Sequence, residues 1–474
     1  MTRTLHGMDS CQRNRLRNLH NGSLLRMLHS PDPRKRHVAA VCCRYMLGGE
    51  RPLIRAVIEA GLLPGLVQLV HVTDPAIQHE AAWALCNVAM GSAHDTCILI
   101  DSGALPPLID LLRLPTSLMS YKLSLVAAQA LGNIAHDYRD VVLHHHVLPR
   151  LLELISHCIT TSHRHLIIAE LIRVLSSTLC KLCIDTPRPA WYHVSRALPT
   201  LVLLLKVNDD VVLHNTCWAL ESFFAPLRGE FADEVSLISA LHAGALCPRL
   251  VELSINPNHD VSVPALKTLL HASRQNLDAV VAVGILPSLA HSLAAPVAPR
   301  ILAVRILASI CAQDVQRVLD AGLMHTLFAM ACSNADPYLV FFTAQAVYDA
   351  AYIATGEQTH ALVAAGCLAT IVRILHYCTY PRFQTHAHPI VHFSLSALEL
   401  VLRHGQPLDE RTNAFADELV RLDAAAHVQF YITDQPPHIA DRAVLLSSMY
   451  LHPMPPPVPE PVVDQIYGDL PLFN

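Results

Sequence analysis

Trp83 and Asn87 stand four residues apart in AAWALCNVAMGSAHDT, and they are the clearest residues in this chain whose types and spacing can do recognition chemistry. Residues i and i+4 share one face of a helix, so both side chains project together. Asparagine can donate to and accept from the main chain of an extended peptide, and an indole can wall off a slot for a long aliphatic stem. A cationic head over the indole gains about 0.5–2 kcal/mol, depending on exposure. A row of such pairs on successive helices makes a ladder.

Other reactive residue types lack the spacing that chemistry needs. Cys180 and Cys183 form a Cys-x-x-Cys at helical spacing in an apolar run. With no second pair following, they read as buried thiols, the alternative being a redox or zinc pair. His144–His146 read as a surface turn, and Arg34-Lys35-Arg36 as a solvated helix start or a small basic patch. The chain has no Gly-x-Ser-x-Gly elbow, phosphate-binding glycine loop or His-Glu-x-x-His. No catalytic residue, cofactor or metal is expected, so the chain reads as a binding protein and not an enzyme.

The elements that would position the ladder are repeats. The phrases EAGLLPGL, DSGALPPL, HHHVLPRL, VSRALPTL, HAGALCPRL, AVGILPSL, DAGLMHTL and AAGCLATI return along the sequence, each at the start of a helical block. Their anchors are Gly61, Gly103, His146, Arg196, Gly244, Gly284, Gly322 and Gly366, in steps of 38 to 50 residues. A period of about 40–47 residues in a helix-rich chain marks an armadillo or HEAT solenoid. Glycine suits a left-handed helix end, and proline suits the first turn of the next helix. Between anchors the apolar residues recur at helix period, as in Ile77–Ala89 and Leu125–Ala135. The fold expected is an all-α, right-handed armadillo superhelix of about nine to ten three-helix repeats, with third helices lining the concave face. Residues 1–19 read as a short polar arm, 20–450 as the solenoid, and 451–474 as a proline-rich tail that cannot continue the helices.

Bulk composition agrees with that reading. Of 474 residues, 52% are hydrophobic and 15% charged, which suits repeats whose middle is covered on both sides. A net charge of −5 without a clustered basic face argues against a nucleic-acid partner. The longest run free of Asp, Glu, Lys and Arg, Ala279–Pro299, contains Gly284 and three prolines, so no membrane span is expected. Fourteen cysteines scattered through apolar helices, behind an N-terminus without a secretory signal, fit reduced thiols in the cytoplasm or nucleus.

AAWALCNVAMGSAHDTCILIDSGALPPLIDLL, AAQALGNIAHD and NTCWALESFF resemble repeats two, three and five of importin-α, the nuclear-import adaptor, and the similarity spans about residues 50–370. The resemblance implies a concave groove holding a lysine- or arginine-rich nuclear localisation signal of a cargo protein. It implies Trp83 and Asn87 as ladder members, Gly91 and Thr96 as the carbonyl and hydroxyl at the lysine pocket, Asn133 as the next ladder asparagine and Asp137 as the lysine's carboxylate. Trp218 keeps its place in repeat five. The implied location is cytoplasmic and nuclear.

Departures from the family pattern set further expectations. Gln129 stands where the family has tryptophan, Ser177 and Lys181 occupy the repeat-four ladder, and in repeat five Ser222 replaces the usual aromatic while Trp218 stays. Lys181 is expected to weaken that end for a positive ligand. Arg305, Ser309, Tyr348 and Tyr352 at the second site read as degraded. The family's carrier is of the importin-β type. The expectation is that its basic docking segment is missing, since residues 1–19 hold only Arg3, Arg13, Arg15 and Arg17. The alternative to an import adaptor is an armadillo scaffold that no longer carries import cargo.

Overall fold

The computed structural model describes residues 21–49, 52–161, 166–184, 187–224, 246–333, 336–383, 385–405, 413–433 and 435–451. Among the described residues there are helices and turns and no strands. The expected arm, most of the tail and the anchor Gly244 lie outside the described residues.

One repeat illustrates how the sequence builds the rest. The short helices Ile54–Glu59 and Leu63–Val70 meet at Gly61, whose φ of 67° is a left-handed value that other residues adopt at a cost. Pro64 follows in the first turn of the second helix, where a missing amide hydrogen costs nothing. The third helix, Pro75–Val88, opens on Asp74, whose carboxylate accepts from the Ala76 amide at 2.9 Å. Ile77, Ala81, Ala84, Leu85 and Val88 on that helix are fully buried.

The same joint recurs at Gly103, Gly284, Gly322 and Gly366, all with positive φ, and His146 takes it without being glycine. Arg196 differs, lying in a 3₁₀ turn, Ser195–Ala197. Asp32-Pro33 and Asp336-Pro337 repeat the Asp74-Pro75 start on two other third helices.

The chain forms two compact units, Met1–Ala272 and Ser273–Asn474. In the first, the long helices Pro33–Leu47, Pro75–Val88, Leu118–His144, Leu166–Cys183 and Asp210–Phe224 pack in succession. In the second, Val297–Cys311, Pro337–Ile353, Ala387–His404 and Pro437–Leu446 do the same. His259–Gln275 contains the division. Each unit is an all-α stack of armadillo-type repeats, as the periodicity predicts.

Leu118–His144 is two helices joined across Tyr138, whose φ/ψ of −130°/42° break the helical run. Before the break the helix packs tightly on its neighbour: a Cβ at Gly132 would stand 2.7 Å from the Thr178 hydroxyl. After it, the buried Arg139 donates to the Ile184 carbonyl at 2.8 Å and to the Pro187 carbonyl, fixing the segment that follows Leu166–Cys183. Cys180 and Cys183 are buried, and burial pushes the Cys183 thiol up, as suits an inert structural thiol. No single helix among the described residues is long and apolar enough to cross a membrane.

Candidate functional site

Trp83 and Asn87 sit half-buried on one face of Pro75–Val88, as the i, i+4 spacing requires. The Asn87 amide donates to the Arg44 carbonyl on the preceding long helix at 3.4 Å. One helix further on, the Asn133 amide donates to the Cys86 sulfur at 3.6 Å. Both contacts are long, and one has a weak acceptor, so a peptide main chain would offer each amide a better partner.

Asp137 is exposed, in the last turn before the break at Tyr138. A carboxylate there opposes the helix dipole, which favours a cation at a C-terminus. It therefore suits a site whose ligand brings the positive charge.

The residues between these two helices are arranged differently from the sequence expectation. Gly91 is half-buried, and a Cβ on it would stand 3.0 Å from an Asp95 carboxylate oxygen, from Ile54 and from the Val88 carbonyl. Thr96 is 0% exposed and its hydroxyl has no hydrogen-bond partner. As it stands it presents nothing to a ligand. Nearby, the Tyr138 hydroxyl donates to the Ala93 carbonyl at 3.0 Å, closing the start of Ala93–Asp101. Asp95 is also buried, caps that helix reciprocally with Ser92, and lies 3.3 Å from Arg55. Burial pushes its carboxyl up, but the Ser92 donors, Arg55 and His94 outweigh that and hold it below the usual range.

Both indoles already carry a cation from a neighbouring long helix. The Arg44 guanidinium lies 5.0 Å from the centre of the Trp83 ring, held from behind by Glu80. The Lys267 ammonium lies 4.3 Å from the centre of Trp218. A histidine four residues earlier meets each indole edge-on, His79 at 5.4 Å and His214 at 6.4 Å. Sequence reasoning missed Arg44 and Lys267, because each reaches its indole from another long helix, and with Arg44 it missed Glu80, which holds that guanidinium from the helix of Trp83 itself.

Elsewhere the ladder is altered. Gln129 is half-buried, and Ser177 and Lys181 are half-buried on Leu166–Cys183. Burial holds the Lys181 amine below its usual range, and its charge is felt by the Cys86 thiol. The Ser222 hydroxyl donates to the Cys183 and Ala219 carbonyls, so the position turns inward onto main chain. In the second unit, Arg305 and Ser309 line a cleft, while Tyr348 and Tyr352 pair at 6.0 Å with Tyr352 67% exposed. His144–His146 are exposed, and among the described residues no three His, Cys, Asp or Glu side chains converge as a metal site.

Comparison with known proteins agrees with this architecture. The family model of the armadillo/β-catenin-like repeat matches residues 51–90, the repeat that carries Trp83 and Asn87. Importin subunit alpha-1a of Oryza sativa subsp. japonica is 36% identical over 100 residues, covering 21% of this chain and 18% of that protein. Importin subunit alpha-8 of Arabidopsis thaliana is 33% identical over 173 residues, 35% of each chain. The matches thus span between about a fifth and a third of these relatives' length. A crystal structure of an engineered protein superposes with a TM-score of 0.71 at 22% identity, over 90% of this chain and 98% of the other. That likeness is one of fold. Over part of its length the chain is thus similar to importin-α subunits, and one of its repeats matches the armadillo/β-catenin-like model.

Proposed function

We propose that this chain is an adaptor that binds lysine- and arginine-rich localisation peptides of cargo proteins along its first unit, shuttling them between cytoplasm and nucleus. The observation that carries the reading is the register of Trp83–Asn87 and Asn133–Asp137. Two indole or amide positions on consecutive packed helices lead to one exposed carboxylate set against its helix dipole. An extended peptide would take main-chain hydrogen bonds from Asn87 and Asn133 and place one lysine at Asp137. That charge-assisted contact is worth about 1.5–3 kcal/mol. Similarity to importin-α subunits supports the reading; a carrier of importin-β type is the second partner proposed, by a contact other than the family's usual basic docking segment.

The test is fluorescence anisotropy of the full chain with a single-cluster lysine-rich peptide, across a salt series. Micromolar binding that weakens as salt screens it is expected, with a loss of about tenfold or more in Asp137→Lys. Because Asp137 is exposed and sits against the dipole, that variant should fold as well as the parent. Equal affinity for parent and variant would sink the proposal.

A second reading has its own observation. Arg44 over Trp83 and Lys267 over Trp218 occupy the indole faces that a basic ligand would use. If those cations are permanent fixtures, the chain is a scaffold for ligands of other chemistry, and the lysine-rich peptide will not bind at any salt concentration.

A further inference from the structure

A cleft of about 330 Å³ lies within the second unit, between Val297–Cys311 and Pro337–Ile353, with Arg274 contributed by the end of His259–Gln275. Two cations line it, close enough for Arg305 to feel the charge of Arg274. Arg274 is exposed and Arg305 half-buried, and neither forms an ion pair among the described residues. The Nε of Arg305 is shut off from solvent without a hydrogen-bond partner. Burial, and then the charge of Arg274, hold the Arg305 guanidinium below its usual range.

The rest of the cleft does not neutralise this pair. The one acid lining it, Asp349, bonds to Gln345 and makes no ion pair with either arginine. The Gln313 side-chain amide donates to the Ser273 and Ser309 carbonyls, so it is already engaged. The Arg305 guanidinium carbon lies 5.0 Å from the centre of the Phe342 ring, a contact that leaves its hydrogens unused. A half-buried, unpaired guanidinium beside a second arginine is costly without an anion. The planar fork of arginine matches the paired oxygens of a carboxylate or phosphate.

We propose that this cleft binds an oxyanion-bearing side chain of a partner peptide, a carboxylate or a phosphorylated serine, with Arg305 and Arg274 as its ligands. The site thus has the opposite charge preference to Asp137 in the first unit, and it stands or falls independently of that reading. A lysine would meet two like charges here and be repelled.

The test uses the full chain and rhodamine-labelled peptides in an uncharged background, identical except for a central glutamate, phosphoserine, lysine or alanine. The glutamate or phosphoserine peptide should bind at least about tenfold more tightly than the lysine and alanine peptides. A clear advantage of phosphoserine over glutamate identifies phosphate as the ligand; parity identifies any oxyanion. Arg305→Gln should lose about tenfold or more, and the exposed Arg274→Gln a smaller part of that. Arg274→Gln keeps the test valid if Arg305→Gln does not fold. Equal affinity for the glutamate and lysine peptides, absence of binding by both anionic peptides, or full retention in both arginine variants overturns the proposal.

Discussion

The guanidinium of Arg44 lies 5.0 Å from the centre of the Trp83 indole, and Glu80, on the same helix as Trp83, holds it there. The contact places on the indole the kind of group that a basic peptide would bring. Burial pushes the Glu80 carboxyl up, yet donors from His79 and Arg44 hold it below its ordinary range, so the clamp is charged at neutral pH. A ligand that stacks on Trp83 must compete with this internal cation.

Removing the competitor should therefore help the ligand. Arg44→Gln is expected to raise the affinity of a lysine-rich peptide about two- to tenfold, the range of one partly exposed cation–π contact. Lys267→Gln should do the same at Trp218 for a peptide long enough to reach it. Anisotropy on the two variants reads this directly. Unchanged or lower affinity in both would mean that the peptide does not use the indole faces.

At Gly132 the helices Leu118–His144 and Leu166–Cys183 pack closely. A Cβ there would stand 2.7 Å from the Thr178 hydroxyl, which is itself committed to the Ala128 carbonyl at 2.9 Å. To admit it, either the hydroxyl gives up that bond or the helices part. Gly132→Ala should destabilise the chain by about 1–3 kcal/mol despite alanine's better helix propensity. Gly132→Ala combined with Thr178→Ala should recover most of the loss. Urea unfolding of both variants tests the packing, and a single variant as stable as the parent would refute it.

Arg139 serves the joint that follows. Its guanidinium donates to the carbonyls of Ile184 and Pro187 and pairs with Asp140 at 3.0 Å. Arg139→Met keeps the buried stem but takes the donors from the half-buried Ile184 carbonyl and the exposed Pro187 carbonyl, at about 1–3 kcal/mol for the first and less for the second, which water can reach. The expected signature is faster amide exchange in the described residues around Ile184 and Pro187, ahead of any change in the Pro75–Val88 helix. Uniform exchange across the first unit would assign Arg139 a global role instead.

The joints of this fold were legible because they are local. Gly61, Gly103, Gly284, Gly322 and Gly366 all take the left-handed turn that their phrase predicts, and His146 follows them. The Trp83–Asn87 face needed only helix periodicity. Arg196 departs because a 3₁₀ turn replaces the left-handed joint, a choice its phrase does not reveal. The charges on the indoles were not legible, since Arg44 and Lys267 reach them across a repeat and nothing near Trp83 or Trp218 in sequence names them. The burial of Thr96 likewise depends on tertiary packing around Ala93–Asp101. The pairing of Arg274 with Arg305 depends on how far apart two long helices sit. Asp32-Pro33, Asp74-Pro75 and Asp336-Pro337, each an aspartate cap followed by proline in the first turn, start three third helices by a local signal of the same kind.

Asp349 gives the second unit a pH response of unusual sign. Burial raises its carboxyl from 3.8 to about 6, against the opposing hydrogen bond from Gln345. The groups around it are Arg305 and Arg274 in the same cleft and the buried Cys311 thiol, whose own pKa its charge helps to raise. A carboxyl that binds its proton more tightly when folded favours the folded state while protonated. Its contribution is full below about pH 3.8 and is lost as pH rises through about 6. Glu80, Asp95, Asp209 and Glu221, whose carboxyls are depressed, act in the opposite direction, so the difference between parent and variant carries the information. Asp349→Asn should match or trail the parent at pH 4.5 and exceed it in stability at pH 7.5, as read by urea midpoints. If an oxyanion occupies the neighbouring arginines, the same variant should also bind the glutamate peptide more tightly at pH 7.5 and lose that advantage below pH 6. A stability difference independent of pH would mean that Asp349 does not hold its proton in the folded chain.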